Sequence, residues 1–510
     1  MEQSSCSGRG QWGITPALLS NARQTRRRFV PICMKAVFAI ALVSASALTW
    51  GQEAPIEPRL SNLDHDIAAH ADVPGLAVAV TRDGRIIYER GFGWADRERG
   101  LRATPNTPFA LASVSKSITA TAIMQLFERG RLNLDAPVND YLGSAKVHSP
   151  HWNASESTVR RVMSHTGGLT TFTRWCGSDR STCNLDREIR DYGILVWRPG
   201  ELFDYSNLGF GILGDVVARV SGNEFDSYLK KNIFTPLGME DCGLQTRQPT
   251  STQYDEKTHA RSPMRLSGTP GASGLRCSAH DLALFGMFQL KEVKNSNSVL
   301  SSTNLDRMHR AQPGTRGQYG LGWWTRQKGG AEVISAQGGT SDTYALLTLV
   351  PTKNVAVVVV ANSYSQFASN LGERILDMVV PELSAPATRP TSTAASVPLP
   401  VIGGWSGHIL VRGDPIRIAL MITAPGTVRG RLADGPLTDL RNVSIEPSHV
   451  HGELAARCDI SDAPPGDFTL DIDLALNDGQ LMGAATSHLP AGQEGDQLPH
   501  WIQLSREALQ

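Results

Sequence analysis

Phe109-Ala110-Leu111-Ala112-Ser113-Val114-Ser115-Lys116 leads straight into a helical pattern, with Ile123, Met124 and Phe127 on one face and Gly130 where a C-cap belongs. Residues three apart on a helix are neighbours, so the Lys116 amine can reach the Ser113 hydroxyl. A serine hydroxyl is a weak nucleophile at neutral pH and needs an adjacent base. A lysine kept neutral by desolvation can be that base, and the positive end of the helix favours a developing alkoxide at Ser113. The same spacing recurs at Ser227-x-x-Lys230. That pair lies inside an ordinary amphipathic pattern (Phe225, Tyr228, Leu229) and reads as structural.

Outward from this stretch, strand signals stand at both ends of a long helical region. A short helix (59–71) precedes Gly75-Leu76-Ala77-Val78-Ala79-Val80, and Asp83-Gly84 separates that run from Ile86-Ile87-Tyr88, which predicts a hairpin. Residues 109–310 read as helices and loops. Strand patterns return at 319–325, 333–336, 344–350 and 355–361, and a helix is expected over 365–380. The expected class is α+β, with one antiparallel sheet assembled from both ends, flanked by helices, and a helical lobe beside it. Residues 384–400, rich in Pro, Ala, Thr and Ser, read as a linker. Beyond them, Ile416, Ile418, Leu420 and Ile422 alternate with other residues, as do Leu470, Ile472 and Leu474, and Asn477-Asp478-Gly479 is a turn signal. Residues 401–510 are therefore expected to form a small β-barrel or β-sandwich domain.

Lys plus Arg and Asp plus Glu each number 49 in 510 residues, so no net field draws the chain towards nucleic acid. Arg26-Arg27-Arg28 followed by the apolar run 36–48 reads as an export signal within residues 1–51. The mature protein is expected in the periplasm or outside the cell, without a stable membrane span. Cys176 and Cys183 bracket a short polar loop and could bridge there, as could Cys242 and Cys277. Isolated buried thiols are the alternative, because spacing does not fix Cα separation. No zinc-ligand spacing occurs, and no cofactor is expected.

Phe203-Asp204-Tyr205-Ser206-Asn207 holds the only Tyr-x-Asn among nine tyrosines. A phenol beside an amine can relay a proton, and an amide can orient substrate. With both motifs in place, residues 59–383 resemble the serine β-lactamase and penicillin-binding-protein family, nearest to class C β-lactamases and their esterase and D-amino-acid peptidase relatives. The resemblance extends, in the family's order, to 163–169 (Met-Ser-His-Thr-Gly-Gly-Leu), 233–239, Gly274-Leu275 and 319–323.

The resemblance implies Ser113 as the nucleophile of an acyl-enzyme, Lys116 and Tyr205 sharing proton transfer, and Asn207 contacting substrate. The substrate would be a small molecule or a peptidoglycan fragment, with a β-lactam, ester or D-amino-acid peptide bond. His165 is expected to be structural, holding its Gly-rich turn. The family's third motif, a cation followed by any residue and Gly, is matched by Ala336-Gln337-Gly338-Gly339. The glycines remain, and the backbone N–H groups of Ser113 and Gly339 would form the oxyanion hole. Ala336 replaces a cation that would bind a substrate carboxylate, a contact of ~1.5–3 kcal/mol. That shifts expectation towards esters and amides, with Arg276 as a possible substitute cation. The competing expectation is a cell-wall binding or sensor protein with slow or no turnover. A conventional nucleophile-elbow hydrolase is disfavoured, because Gly271-Ala272-Ser273-Gly274-Leu275 lacks the last glycine.

Overall fold

Val355-Ala356-Val357-Val358-Val359-Val360-Ala361 is buried at every position, as a strand covered on both faces must be. In the computed structural model, which describes residues 56–69, 73–176, 183–263, 266–293, 298–384, 400–423, 426–456, 467–489 and 495–507, this strand is central to a seven-stranded sheet. The order across the sheet is Leu101–Arg102, Arg85–Asp96, Gly75–Arg82, Val355–Ala361, Thr343–Val350, Ala331–Thr340 and Trp324–Lys328. All these pairings are antiparallel. The N-terminal hairpin thus docks against strands almost three hundred residues later, through register Val78–Val359. Its turn has positive φ at both Asp83 (50°) and Gly84 (71°), the geometry that matches strand twist.

One face of the sheet packs on helices Ile56–Ala68 and Gln366–Val379 through Leu63, Val357, Leu371 and Ile375. The other packs on the helical lobe, including helices Ser115–Glu128 and Ala279–Gln289, through Val358, Ile118 and Phe285. The strand pattern expected over 319–325 begins only at Trp324; Tyr319 makes a single bridge to Trp324. The two glycines of this segment force the difference. Gly322 has φ 84°, and a Cβ on Gly320 would meet Met308 O at 2.2 Å.

Nine antiparallel strands between Gly403 and Arg506 form a second, nearly closed sheet. Its interior holds Ile418, Leu420, Ile422, Leu470, Ile472 and Leu474, the alternating set read from the sequence. Trp501, Met482 and Ala484 of this sheet pack on Ile194, Val196 and Trp197 of the helical lobe. Both Cys176–Cys183 and Cys242–Cys277 are disulfides. Among the described residues no helix is long and apolar enough to cross a membrane; residues 1–51 and 385–399 lie outside them.

Candidate active site

Ser113 occupies a 3-10 turn, Ala112–Val114, that continues as helix Ser115–Glu128. Ala112 adopts φ 42°, a left-handed conformation costing about 1–3 kcal/mol in a residue with a Cβ. Packing holds it there. Strand Ala331–Thr340 crosses the turn so closely that a Cβ on Gly338 would lie 2.4 Å from Ser113 N and 2.5 Å from Leu111 O. Gly338 is therefore a steric requirement. Gly339 faces the other way, towards Tyr344 and Tyr364.

Lys116 is 1% exposed. Its Nζ donates to Ser113 Oγ at 2.9 Å, Asn207 Oδ1 at 2.8 Å and Ala272 O at 3.1 Å, and lies 4.6 Å from the centre of the Tyr205 ring. None of these partners is an anion. Burial therefore holds the Lys116 amine well below the usual lysine range. The Tyr205 hydroxyl shares a hydrogen bond with Ser113, yet burial still pushes its pKa up to about 12. The resting arrangement is a neutral phenol and a readily deprotonated amine on one serine oxygen.

Tyr205 is positioned from both sides by His165, whose own φ is 59°. The His165 carbonyl accepts from Asp204 N at 2.8 Å, and its Nδ1 accepts from Ser206 N at 3.0 Å. Nδ1 as acceptor places the proton on Nε2. Burial and the neighbouring Lys116 hold the ring well below the usual histidine range. Its ring centre is 4.2 Å from that of Tyr205. Ser206 then caps helix Asn207–Ser221, accepting from Gly209 N, which aims Asn207 at Lys116. The fold thus unites Ser113, Lys116, Tyr205, Asn207 and Gly338. Sequence reading missed the Ala272 carbonyl, which has no side-chain signature; it expected His165 to hold its own Gly-rich turn and did not give its contacts to the Tyr205 loop.

Ala336 is 4% exposed and shares the helical-lobe face of the sheet with Gly338, while Gln337 is exposed on the opposite face. Nothing cationic projects from this strand at the site. Arg276 lines a cleft beside Ser113, of about 580 Å³ including its open mouth, together with Ala112, Trp175, Leu266, Thr340 and Asp342. The second Ser-x-x-Lys pair is unlike the first: Lys230 Nζ bonds Asp226 Oδ2 at 2.7 Å, and Ser227 is exposed. Among the described residues the one cluster compact enough for a metal is Cys242, Cys277 and Asp281, and its two sulfurs are bonded to each other.

Asp204 Oδ2 accepts from Trp197 Nε1 at 2.6 Å. Burial, reinforced by Asp473 and Asp471 of the C-terminal sheet, pushes its carboxyl up to about 6 against hydrogen bonds from Thr170 and Trp197. A carboxyl raised on folding stabilises fully below its unfolded pKa, and that contribution is lost as pH rises through the folded value. Asp204→Asn keeps an acceptor for Trp197. It is expected to raise stability at pH 8 by up to ~3 kcal/mol, with little effect near pH 4. Thermal midpoints at both pH values check this; an equal shift at both would contradict it.

A family model described as Beta-lactamase matches residues 63–379. Protein flp of Staphylococcus aureus (strain MRSA252) is 24% identical over 333 residues, an alignment spanning 62% of this chain and 65% of that protein. The chain thus covers just under two thirds of that relative's length. Among solved structures, SurE superposes with a TM-score of 0.60 at 21% identity, over 87% of this chain and 99% of that one. The octameric penicillin-binding protein homologue from Pyrococcus abyssi gives 0.54 at 20%, over 88% and 100%. A class C beta lactamase from Rhodobacter sphaeroides gives 0.50 at 24%, over 63% and 97%. At these identities the likeness is one of fold.

Proposed function

Because the chain belongs to the beta-lactamase family, we propose that it is a serine hydrolase working through an acyl-enzyme on Ser113. One observation carries the reading: a buried lysine bonded only to neutral acceptors stands 2.9 Å from Ser113 Oγ. Ser113 Oγ attacks the substrate carbonyl while neutral Lys116 takes the hydroxyl proton. The oxyanion forms against the N–H groups of Ser113 and Gly339. A two-residue turn, Ser341-Asp342, joins Thr340 to Thr343, so by ladder alternation the next pair, Gly339–Tyr344, is the non-hydrogen-bonded kind. That frees Gly339 N–H on the edge that strand Trp324–Lys328 leaves unpaired beyond Ser335. Tyr205 passes a proton to the leaving group, the acyl-enzyme forms, and water returns the serine with the same groups in reverse. No metal or cofactor enters these steps.

The substrate class follows from Ala336. Without a cation there, a substrate carboxylate gains no partner from this strand, which favours esters and amides over penicillins and free peptide C-termini. The same substitution favours a second reading, a binding or sensor protein that acylates and deacylates slowly. Two disulfides and the basic and apolar N-terminal segment support export to an oxidising compartment.

The test is to incubate the protein with a fluorophosphonate and, separately, with a labelled penicillin, map each adduct by mass spectrometry and follow its release. An adduct on the Ser113 peptide with rapid ester turnover is expected, with weak penicillin labelling. Phosphonate label on any other residue sinks the reading, and a stable Ser113 adduct formed from esters establishes the sensor. Tyr205→Phe is expected to cost about 10²-fold in kcat/KM on alkyl esters or amides. The loss should stay under about tenfold on p-nitrophenyl esters, whose leaving group departs unprotonated. Equal losses on both would remove Tyr205 from leaving-group protonation.

A further inference from the structure

The C-terminal sheet reaches the cleft beside Ser113 through one short segment. Gln497 exchanges two main-chain hydrogen bonds with Thr173, N to O at 2.9 Å and O from N at 3.0 Å. Asp496 holds the next two residues: its Oδ1 accepts from Trp175 N at 3.0 Å, and its Oδ2 accepts from Arg174 Nη1 at 2.9 Å. Arg174 in turn donates to the Tyr192 hydroxyl at 3.2 Å and lies 3.5 Å from the buried Glu188 carboxylate. Trp175 and Cys176 form a strand of only two residues, paired with Ser267 and Leu266. So short a ladder holds its place poorly alone. The same Trp175, Leu266 and Ser267 line the cleft together with Ala112 and Thr340.

We propose that the C-terminal domain sets the substrate selectivity of the hydrolase, with Asp496 as the positioning residue that holds the Trp175 wall. The group received there is apolar, an aromatic ring borne by the scissile carbonyl or its leaving group. Trp175, Leu266 and Ala112 supply apolar surface, and the two charges lining the cleft, Arg276 and Asp342, are opposite in sign. The proposal rests on the reading of Ser113 as nucleophile.

The test uses the full chain and two p-nitrophenyl esters, acetate and phenylacetate. Asp496→Ala is expected to lower the phenylacetate-to-acetate ratio of kcat/KM at least fivefold, through a higher KM for phenylacetate. Trp175→Ala should give the same loss, and the double variant should lose no more than either alone. Asp496→Asn, which keeps an acceptor for Trp175 N–H, should recover most of the ratio. A ratio within twofold of the parent in folded Asp496→Ala overturns the proposal. So do effects of the two variants that multiply, or equal falls in kcat for both esters. If Asp496→Ala does not fold, Trp175→Ala decides, since an unchanged ratio there removes the wall from selection. Phosphonate labelling of the parent at Ser113 reports separately on the underlying reading, which these ratios do not touch.

Discussion

Ser113→Ala is expected to lower kcat on a p-nitrophenyl ester by on the order of 10⁴-fold or more and to abolish phosphonate labelling. The size of the effect follows from Ser113 being, among the described residues, the one hydroxyl bonded to Lys116. Ser115, the nearest hydroxyl in sequence, is buried and accepts from Leu275 N at 3.2 Å, so it faces away from substrate. Lys116 would keep its bonds to Asn207 and Ala272 and could activate only water. Oxyanion binding by backbone N–H groups would survive, which is why a residual rate above the uncatalysed one is expected. The variant should fold as the parent does, because one hydroxyl is removed without a void. Stopped-flow and steady-state rates check the loss; retention of more than about a tenth of kcat would show that another residue carries the acyl group.

Lys116→Met is expected to cost about 10³- to 10⁴-fold in kcat/KM while leaving binding of a non-reacting substrate analogue nearly intact. Removing Nζ takes away the proton acceptor, and it also leaves Asn207 Oδ1 and Ala272 O without their donor, at about 1–3 kcal/mol each. The pH dependence separates these two effects. In the parent, kcat/KM should rise with pH as Lys116 loses its proton and then level off. Burial lowers the Lys116 pKa on folding, so between the folded value and about 10.4 the unfolded chain binds more protons. Parent stability relative to Lys116→Met should therefore grow as pH rises through that window. A stability difference that stays flat from pH 6 to 9 would mean that Lys116 is not desolvated as the structure places it.

Local features were legible because they have local causes. Asp83-Gly84 fixed a turn through two positive φ angles. The alternation at Ile418, Leu420 and Ile422 matched a strand with one buried face. The Ser113–Lys116 pair needed only helical rise. Glycines did not announce that 319–323 would leave the strand pattern, since Gly320 is there for its approach to Met308 O. Nothing in the composition of the C-terminal region pointed to Asp496 reaching Trp175, a contact across 321 positions.

The sequence by itself placed a serine and a lysine three residues apart in a helical pattern, and it did so twice, at Ser113 and at Ser227. Only the tertiary structure decided which pair is chemically different. Lys230 is 44% exposed by side chain and paired with the Asp226 carboxylate. Lys116 is buried against the Tyr205 and Phe210 rings, Asn207 and the Ala272 turn, with neutral acceptors on every bond. Spacing sets distance along one element. The free energy of a charge depends on what all the neighbouring elements exclude, and that is a property of the fold.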